Sequence, residues 1–131
     1  PEYCVERAAK ILNSCEKSLK NAKILVLGVA YKQDIDDYRE SPAIRVINEL
    51  KKEMAIVDFY DPRISWYQEQ GEKVMGLERL SPLIVGSYDL VIITTAHTDL
   101  DYGMIQTNAK MIFDTKNVMK DIQIRNNIEV L

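Results

Sequence analysis

Between Gly28 and Pro42 the chain reads GVAYKQDIDDYRESP, which gathers Tyr31, Lys32 and Arg39 among the acids Asp34, Asp36, Asp37 and Glu40. Cations whose positions are fixed by neighbouring carboxylates suit a bound phosphate. Lys32 offers a point charge to such a group, and the ring of Tyr31 can flank a base or sugar. A solvated loop lysine is the plainer alternative for Lys32. Arg39 can fork to a second phosphate or pair with Asp36 or Asp37, and composition leaves the two readings even. Further along, Lys116 stands in the turn Asp114-Thr115-Lys116-Asn117 and is a third candidate for an anion.

Two other residues invite a chemical role. His97 follows an apolar run and resembles a general base, but with no serine or cysteine nucleophile beside it the structural reading is preferred. Asp61 ends a second apolar run, where a ribose-binding acid would stand. The first loop contains only Gly28 and lacks a G-x-G-x-x-G turn, so Asp61 is also read as structural. Asp99 and Asp101 are expected to cap the helix that follows them.

These residues need a frame. Apolar residues Val5, Ala8, Leu12, Cys15 and Leu19 repeat at helical spacing and predict an opening helix to about Leu19. Lys23–Gly28 is apolar without alternation, as in a parallel strand covered on both faces. Ser41 and Pro42 predict the cap and first position of a helix to about Glu53. Strands are expected at Ala55–Tyr60, Leu90–Thr95, Met111–Phe113 and, at an edge, Ile128–Leu131. Arg63–Val74 reads as a helical turn followed by a weak strand at Glu72–Val74. Helices are expected at Leu77–Val85 and Tyr102–Ala109. The alternation predicts an α/β fold with a doubly wound, mainly parallel sheet. In such a sheet the loops Gly28–Ser41, Ala96–Asp101 and Asp114–Asn117 share the carboxyl edge, where ligands bind.

A chain of 131 residues with 47% hydrophobic and 28% charged residues fits one ordered domain. Its net charge of −3 argues against nucleic acid or an anionic membrane as partner. No apolar run approaches the ~20 residues of a membrane helix. No basic-then-apolar leader opens the chain, so a cytoplasmic address is expected. Cys4 and Cys15 would lie about 16 Å apart along a helix, too far for a disulfide. They are expected to be free core or interface thiols. One histidine and no C-x-x-C leave a zinc site without ligands.

GVAYKQDIDDYRESPA, the later FYDP and the DTKN turn together resemble the C-terminal domain of nucleotide-sugar dehydrogenases, a family acting on UDP-glucose, UDP-N-acetylhexosamines and GDP-mannose. The resemblance spans essentially the whole chain, and PEYCVER is similar to the end of the family's central helix. The D-I-D-D wording is most similar to UDP-N-acetylglucosamine and UDP-N-acetylmannosamine dehydrogenases. The resemblance implies a Rossmann-like three-layer domain over residues 21–131, preceded by a linker helix over 1–20. It implies that Tyr31, Lys32 and Lys116 bind the UDP end of the substrate, and that Arg39 reaches towards NAD. NAD itself would be bound mainly by an N-terminal domain absent from this chain.

By the same resemblance, the complete enzyme oxidises the sugar C6 alcohol to a carboxylate in two hydride transfers, through thiohemiacetal and thioester stages on a cysteine of the central domain. Neither Cys4 nor Cys15 matches that motif, so this chain alone is expected to be inactive. The family dimerises through its central helix, which implies a homodimer for the full-length protein. Lys116 departs from the arginine the family usually carries there, exchanging a planar fork for a point charge. Two alternatives stand beside this reading. One is a regulatory module of receiver type, which lacks its acid pair at the end of the first strand. The other is a degenerate oligomerising domain that no longer binds UDP.

Overall fold

A computed structural model describes residues 2–131. The elements are helix α1 (Glu2–Ser14), strand β1 (Lys23–Leu27), helix α2 (Pro42–Lys52), strands β2 (Ile56–Tyr60), β3 (Trp66–Glu69) and β4 (Glu72–Met75), helix α3 (Pro82–Gly86), strand β5 (Leu90–Ile93), helix α4 (Tyr102–Asn108), and strands β6 (Ile112–Asp114) and β7 (Ile128–Val130). Five strands form one parallel sheet in the order β2-β1-β5-β6-β7. The predicted Rossmann-like α/β architecture is therefore the one observed. No helix among the described residues is long and apolar enough to cross a membrane.

The lack of alternation in the central strands has a direct cause: both faces of the sheet are covered. Ile24, Val26, Leu90, Ile92 and Phe113 point to the side of α1 and α2, where Ala8, Leu12, Ile47 and Leu50 complete a core. Leu25, Leu27, Val91, Ile93 and Ile112 point to the other side, against Val85, Ile105 and Met119. Each fully buried aliphatic side chain here contributes about 1.5–3 kcal/mol of hydrophobic stabilisation. After β1 the chain moves outward to β2, then crosses back to place β5 on the opposite flank of β1. Strand order thus reverses between β1 and β5, and the loops leaving these two strands face each other.

The elements differ from the sequence expectations in three places. Helix α1 stops at Ser14, five residues early, because Glu16 takes φ 61° and the carbonyl of Leu12 accepts from the amide of Lys17. That is a Schellman ending, here closed without glycine. Leu19 falls beyond the helix yet still packs on the first core. Cys15 is exposed rather than in the core, and Cys4 is half-buried.

The weak strand expected at Glu72–Val74 is β4, but the helical turn expected before it is replaced by strand β3, and the two form an antiparallel hairpin. Gln70 and Gly71, with φ of 51° and 80°, form its two-residue turn, the left-handed pair that matches strand twist. The expected helix from Leu77 begins only at Pro82. Ser81 caps it, its Oγ accepting from Ile84 N at 3.1 Å, so Pro82 starts the helix instead of interrupting it. Leu77 donates its amide to the carbonyl of Phe59 and runs beside β2.

Candidate functional site

The loop after β1 is held by a buried carboxylate. Asp61, at the end of β2, accepts at Oδ2 from the amides of Val29 (2.8 Å) and Ala30 (3.0 Å), and at Oδ1 from the amide of Arg63 (2.8 Å). The same Oδ2 lies 2.9 Å from Nε2 of His97, and neither side chain is exposed to solvent. Asp61 is thus buried and already makes four hydrogen bonds within the chain. Asp61 and His97 build the loop.

The other face of the His97 ring meets Asp34, whose amide donates to Nδ1 at 2.8 Å. The Asp34 carboxylate accepts from the amide and hydroxyl of Thr98, both at 2.9 Å. Those bonds, the amide's first, hold its carboxyl below the usual carboxylate range, with help from Arg63. Asp101 caps α4 as expected, accepting from Met104 N at 3.0 Å. Asp99 does not cap; it pairs with Arg63 at 3.4 Å. Asp34, His97 and Asp99 bring ligand-type atoms within 4.8 Å of one another. Arg63 lies 3.9 Å from Asp34 and 3.4 Å from Asp99, and Nδ1 accepts from a peptide amide, so the trio is already engaged within the chain.

Tyr31 and Lys116 line one cleft of about 180 Å³ at the carboxyl edge of the sheet, together with Cys4, Ala43, Thr94 and Thr115. Helix α2 starts at the wall of this cleft, capped by buried Ser41, whose Oγ accepts from Ala43 N. Its N-terminal end adds partial positive charge there. The 114–117 turn is built by Asp114, fully buried, which accepts from the amides of Lys116, Val118 and Met119. Thr115 donates its hydroxyl to the carbonyl of Ile93. With those bonds made, the Lys116 side chain is left exposed.

Lys32 is also exposed and holds its ammonium 5.7 Å from the centroid of the Tyr31 ring, beside the cleft rather than in its lining. Arg39 is separate. Its guanidinium forks onto Asp37, Nε to Oδ1 at 3.0 Å and Nη2 to Oδ2 at 2.9 Å, and borders a different groove with Tyr38, Ile44 and Gln68. The Arg39 fork, then the bond from the Arg39 amide, depress the Asp37 carboxyl. Burial pushes the Cys4 thiol up, which makes it a poor nucleophile. Sequence reasoning missed Thr94 and Thr115; their signal was hydroxyl residues directly after two buried strands.

The model of the UDP-glucose/GDP-mannose dehydrogenase family, UDP binding domain, matches residues 25–121. A UDP-N-acetyl-D-mannosamine dehydrogenase of Methanococcus maripaludis is 31% identical over 119 residues, covering 84% of this chain and 26% of that protein. A UDP-glucose 6-dehydrogenase of Rickettsia bellii is 33% identical over 130 residues, covering 92% of this chain and 29% of that protein. Among solved structures, a UDP-N-acetyl-mannosamine dehydrogenase from S. aureus superposes with a TM-score of 0.72 at 29% identity, over 99% of this chain and 30% of that one. A UDP-D-ManNAc dehydrogenase from Pyrococcus horikoshii gives a TM-score of 0.77 at 23% identity over 99% of this chain and 30% of that one, a likeness of fold. The chain thus spans under a third of the length of these relatives.

Proposed function

The chain belongs to the UDP-glucose/GDP-mannose dehydrogenase family, and on that premise we propose that it holds the UDP end of a nucleotide sugar for an enzyme that oxidises the sugar C6 alcohol to a carboxylate with NAD. The observation that carries the proposal is the cleft shared by Tyr31 and Lys116, which come from loops after two different strands. Lys116 supplies charge to the diphosphate, and Tyr31 supplies a face for the base or ribose. Lys32, beside that ring, adds a second cation at the rim. The hydroxyls of Thr94 and Thr115 are turned to main-chain carbonyls, so they shape the cleft rather than bind in it.

NAD does not fit the turn after β1. That turn has no glycine-rich cradle, and Asp61 is buried with four hydrogen bonds already made within the chain. The proposal therefore assigns NAD to another part of the full-length enzyme, with Arg39 as the one cofactor-facing residue here; its guanidinium is 83% exposed. Residues 1–20 are assigned to the end of a linker helix and 21–131 to the UDP-sugar-binding unit. Ala8, Ile11 and Leu12 of α1 pack on the chain's own sheet, so the proposed homodimer of the full-length enzyme would use the remaining face, which carries exposed Tyr3. The chain contributes no catalytic group to the oxidation, since Cys4 is a half-buried thiol with a raised pKa.

The test is calorimetric titration of the chain with UDP, GDP and NAD separately. UDP binding, with GDP and NAD much weaker, supports the assignment. Equal response to UDP and GDP removes the base preference. No response to UDP at millimolar concentration overturns the holding role for this chain. Relatives named for UDP-glucose and for UDP-N-acetyl-D-mannosamine both match, and the proposal concerns the nucleotide end that those substrates share.

A further inference from the structure

We propose that His97 is a positioning residue, one that fixes the main chain on both sides of Tyr31-Lys32-Gln33 and so sets where Tyr31 and Lys32 stand. The inference rests on the reading that this segment contacts UDP. On its near side, the amides of Val29 and Ala30 are bonded to Asp61 Oδ2. On its far side, the amide of Asp34 is bonded to His97 Nδ1 at 2.8 Å. The two anchors are bonded to each other, Asp61 Oδ2 to His97 Nε2 at 2.9 Å. Three residues therefore arch between two fixed points that belong to one buried pair.

The pairing also selects the tautomer. A peptide N–H can only donate, so Nδ1 must be the acceptor and Nε2 must carry the proton that goes to Asp61. With both side chains at 0% exposure, no water is available to substitute for the bond between Asp61 and His97. The carbonyl of His97 accepts from the hydroxyl of Tyr102, which ties the ring's own backbone to α4. His97 does not line the cleft, so its influence on a ligand passes through the arch. A general base would need an exposed nitrogen with a free lone pair, and this ring has none.

Two substitutions separate the two bonds. His97→Asn places an amide oxygen near the Nδ1 position and can still receive the Asp34 amide, whereas His97→Gln reaches Asp61 and leaves that amide without its acceptor. The readouts are hydrogen exchange at the Asp34 amide and UDP affinity by calorimetry. His97→Asn is expected to keep the amide protected and UDP affinity within about threefold, while His97→Gln loses about tenfold or more in both. Equal losses in the two variants, or unchanged affinity in His97→Gln, would overturn the proposal. Should either variant fail to fold, 15N spectra of the native chain decide. An unprotonated Nδ1 coupled across the bond to the Asp34 amide supports the proposal, and a proton on Nδ1 refutes it. Native protein that binds no UDP, with Asp34 exchange still following the Asn and Gln pattern, would sink the functional reading and leave the anchor standing.

Discussion

Gly28 and Thr95 approach so closely that a Cβ on Gly28 would stand 2.5 Å from the Cβ of Thr95, and Gly28 holds φ at +96° to do so. The contact joins the ends of β1 and β5, where the strand order reverses, and Thr95 Oγ1 continues it by donating to the carbonyl of Ala30 at 3.0 Å. Any side chain at position 28 must push the two loops apart. Gly28→Ala is expected to cost about 2–5 kcal/mol, combining a left-handed backbone penalty with overpacking. Urea unfolding of the two proteins measures it; a loss under about 1 kcal/mol would mean that the loops yield freely at this point.

Lys32 can be removed without disturbing the fold, because it is exposed and its ammonium stands 5.7 Å from the centroid of the Tyr31 ring. Lys32→Ala should weaken UDP binding by about 1.5–3 kcal/mol, the usual worth of a hydrogen bond to a charged group. The unfolding midpoint should stay where it was. Calorimetry reads the first quantity and denaturation the second, and an unaltered affinity would take Lys32 out of the site.

Lys116 is exposed on a turn whose Lys116, Val118 and Met119 amides are bonded to Asp114, so a longer side chain can be accommodated there. Lys116→Arg should tighten UDP binding by about 0.5–1.5 kcal/mol, since a planar fork can make two bonds to a phosphate where an ammonium makes one. If titration shows weaker binding, the cleft is fitted to a single point charge.

Tyr67 is fully buried against Phe59 and Tyr38, and its hydroxyl has no hydrogen-bond partner among the described residues. Burial, with a smaller contribution from Glu69, pushes this phenol up to about 12. The folded state therefore disfavours the phenolate. Its contribution is fully present below pH about 10, where a free phenol titrates, and is lost as pH rises towards about 12. Tyr67→Phe should stabilise the protein by about 1 kcal/mol at neutral pH by removing an unpaired buried hydroxyl. It should also flatten part of the alkaline decline. Tyr88 and Tyr102, raised chiefly by burial as well, leave the rest of that decline in place. Denaturation curves from pH 7 to 11 test both statements; a destabilised Phe variant would reveal a partner for the hydroxyl.

Much of this architecture was legible because its signals are local. Ser41-Pro42 announces α2, and the unbroken apolar runs at β1 and β5 announce a sheet covered on both faces. Strand β3 and its pairing were missed because only Tyr67 and Val74 carry the hairpin's inward face, too few for alternation to register. The early end of α1 was missed because Glu16, without glycine's freedom, still adopts the left-handed conformation. At the site, the sequence picked out Tyr31, Lys32 and Lys116, and the geometry brings Tyr31 and Lys116 to one cleft with Lys32 at its edge. The links of Asp61 to Val29 and of His97 to Asp34 span 32 and 63 residues, and no local pattern encodes such distances.

Helix α1 and strand β7 are joined by Arg7, which donates to the carbonyl of Val130 at 2.9 Å and lies over the Phe113 ring. Cys4 and Leu131 consequently both border the cleft that holds Tyr31 and Lys116. A group attached to the Leu131 carboxylate is therefore tethered beside that cleft, where a short flexible link sustains roughly millimolar effective concentrations. On the proposed reading, an acidic tag there would compete with a diphosphate, and a dye on residue 131 would report on whether the cleft is filled.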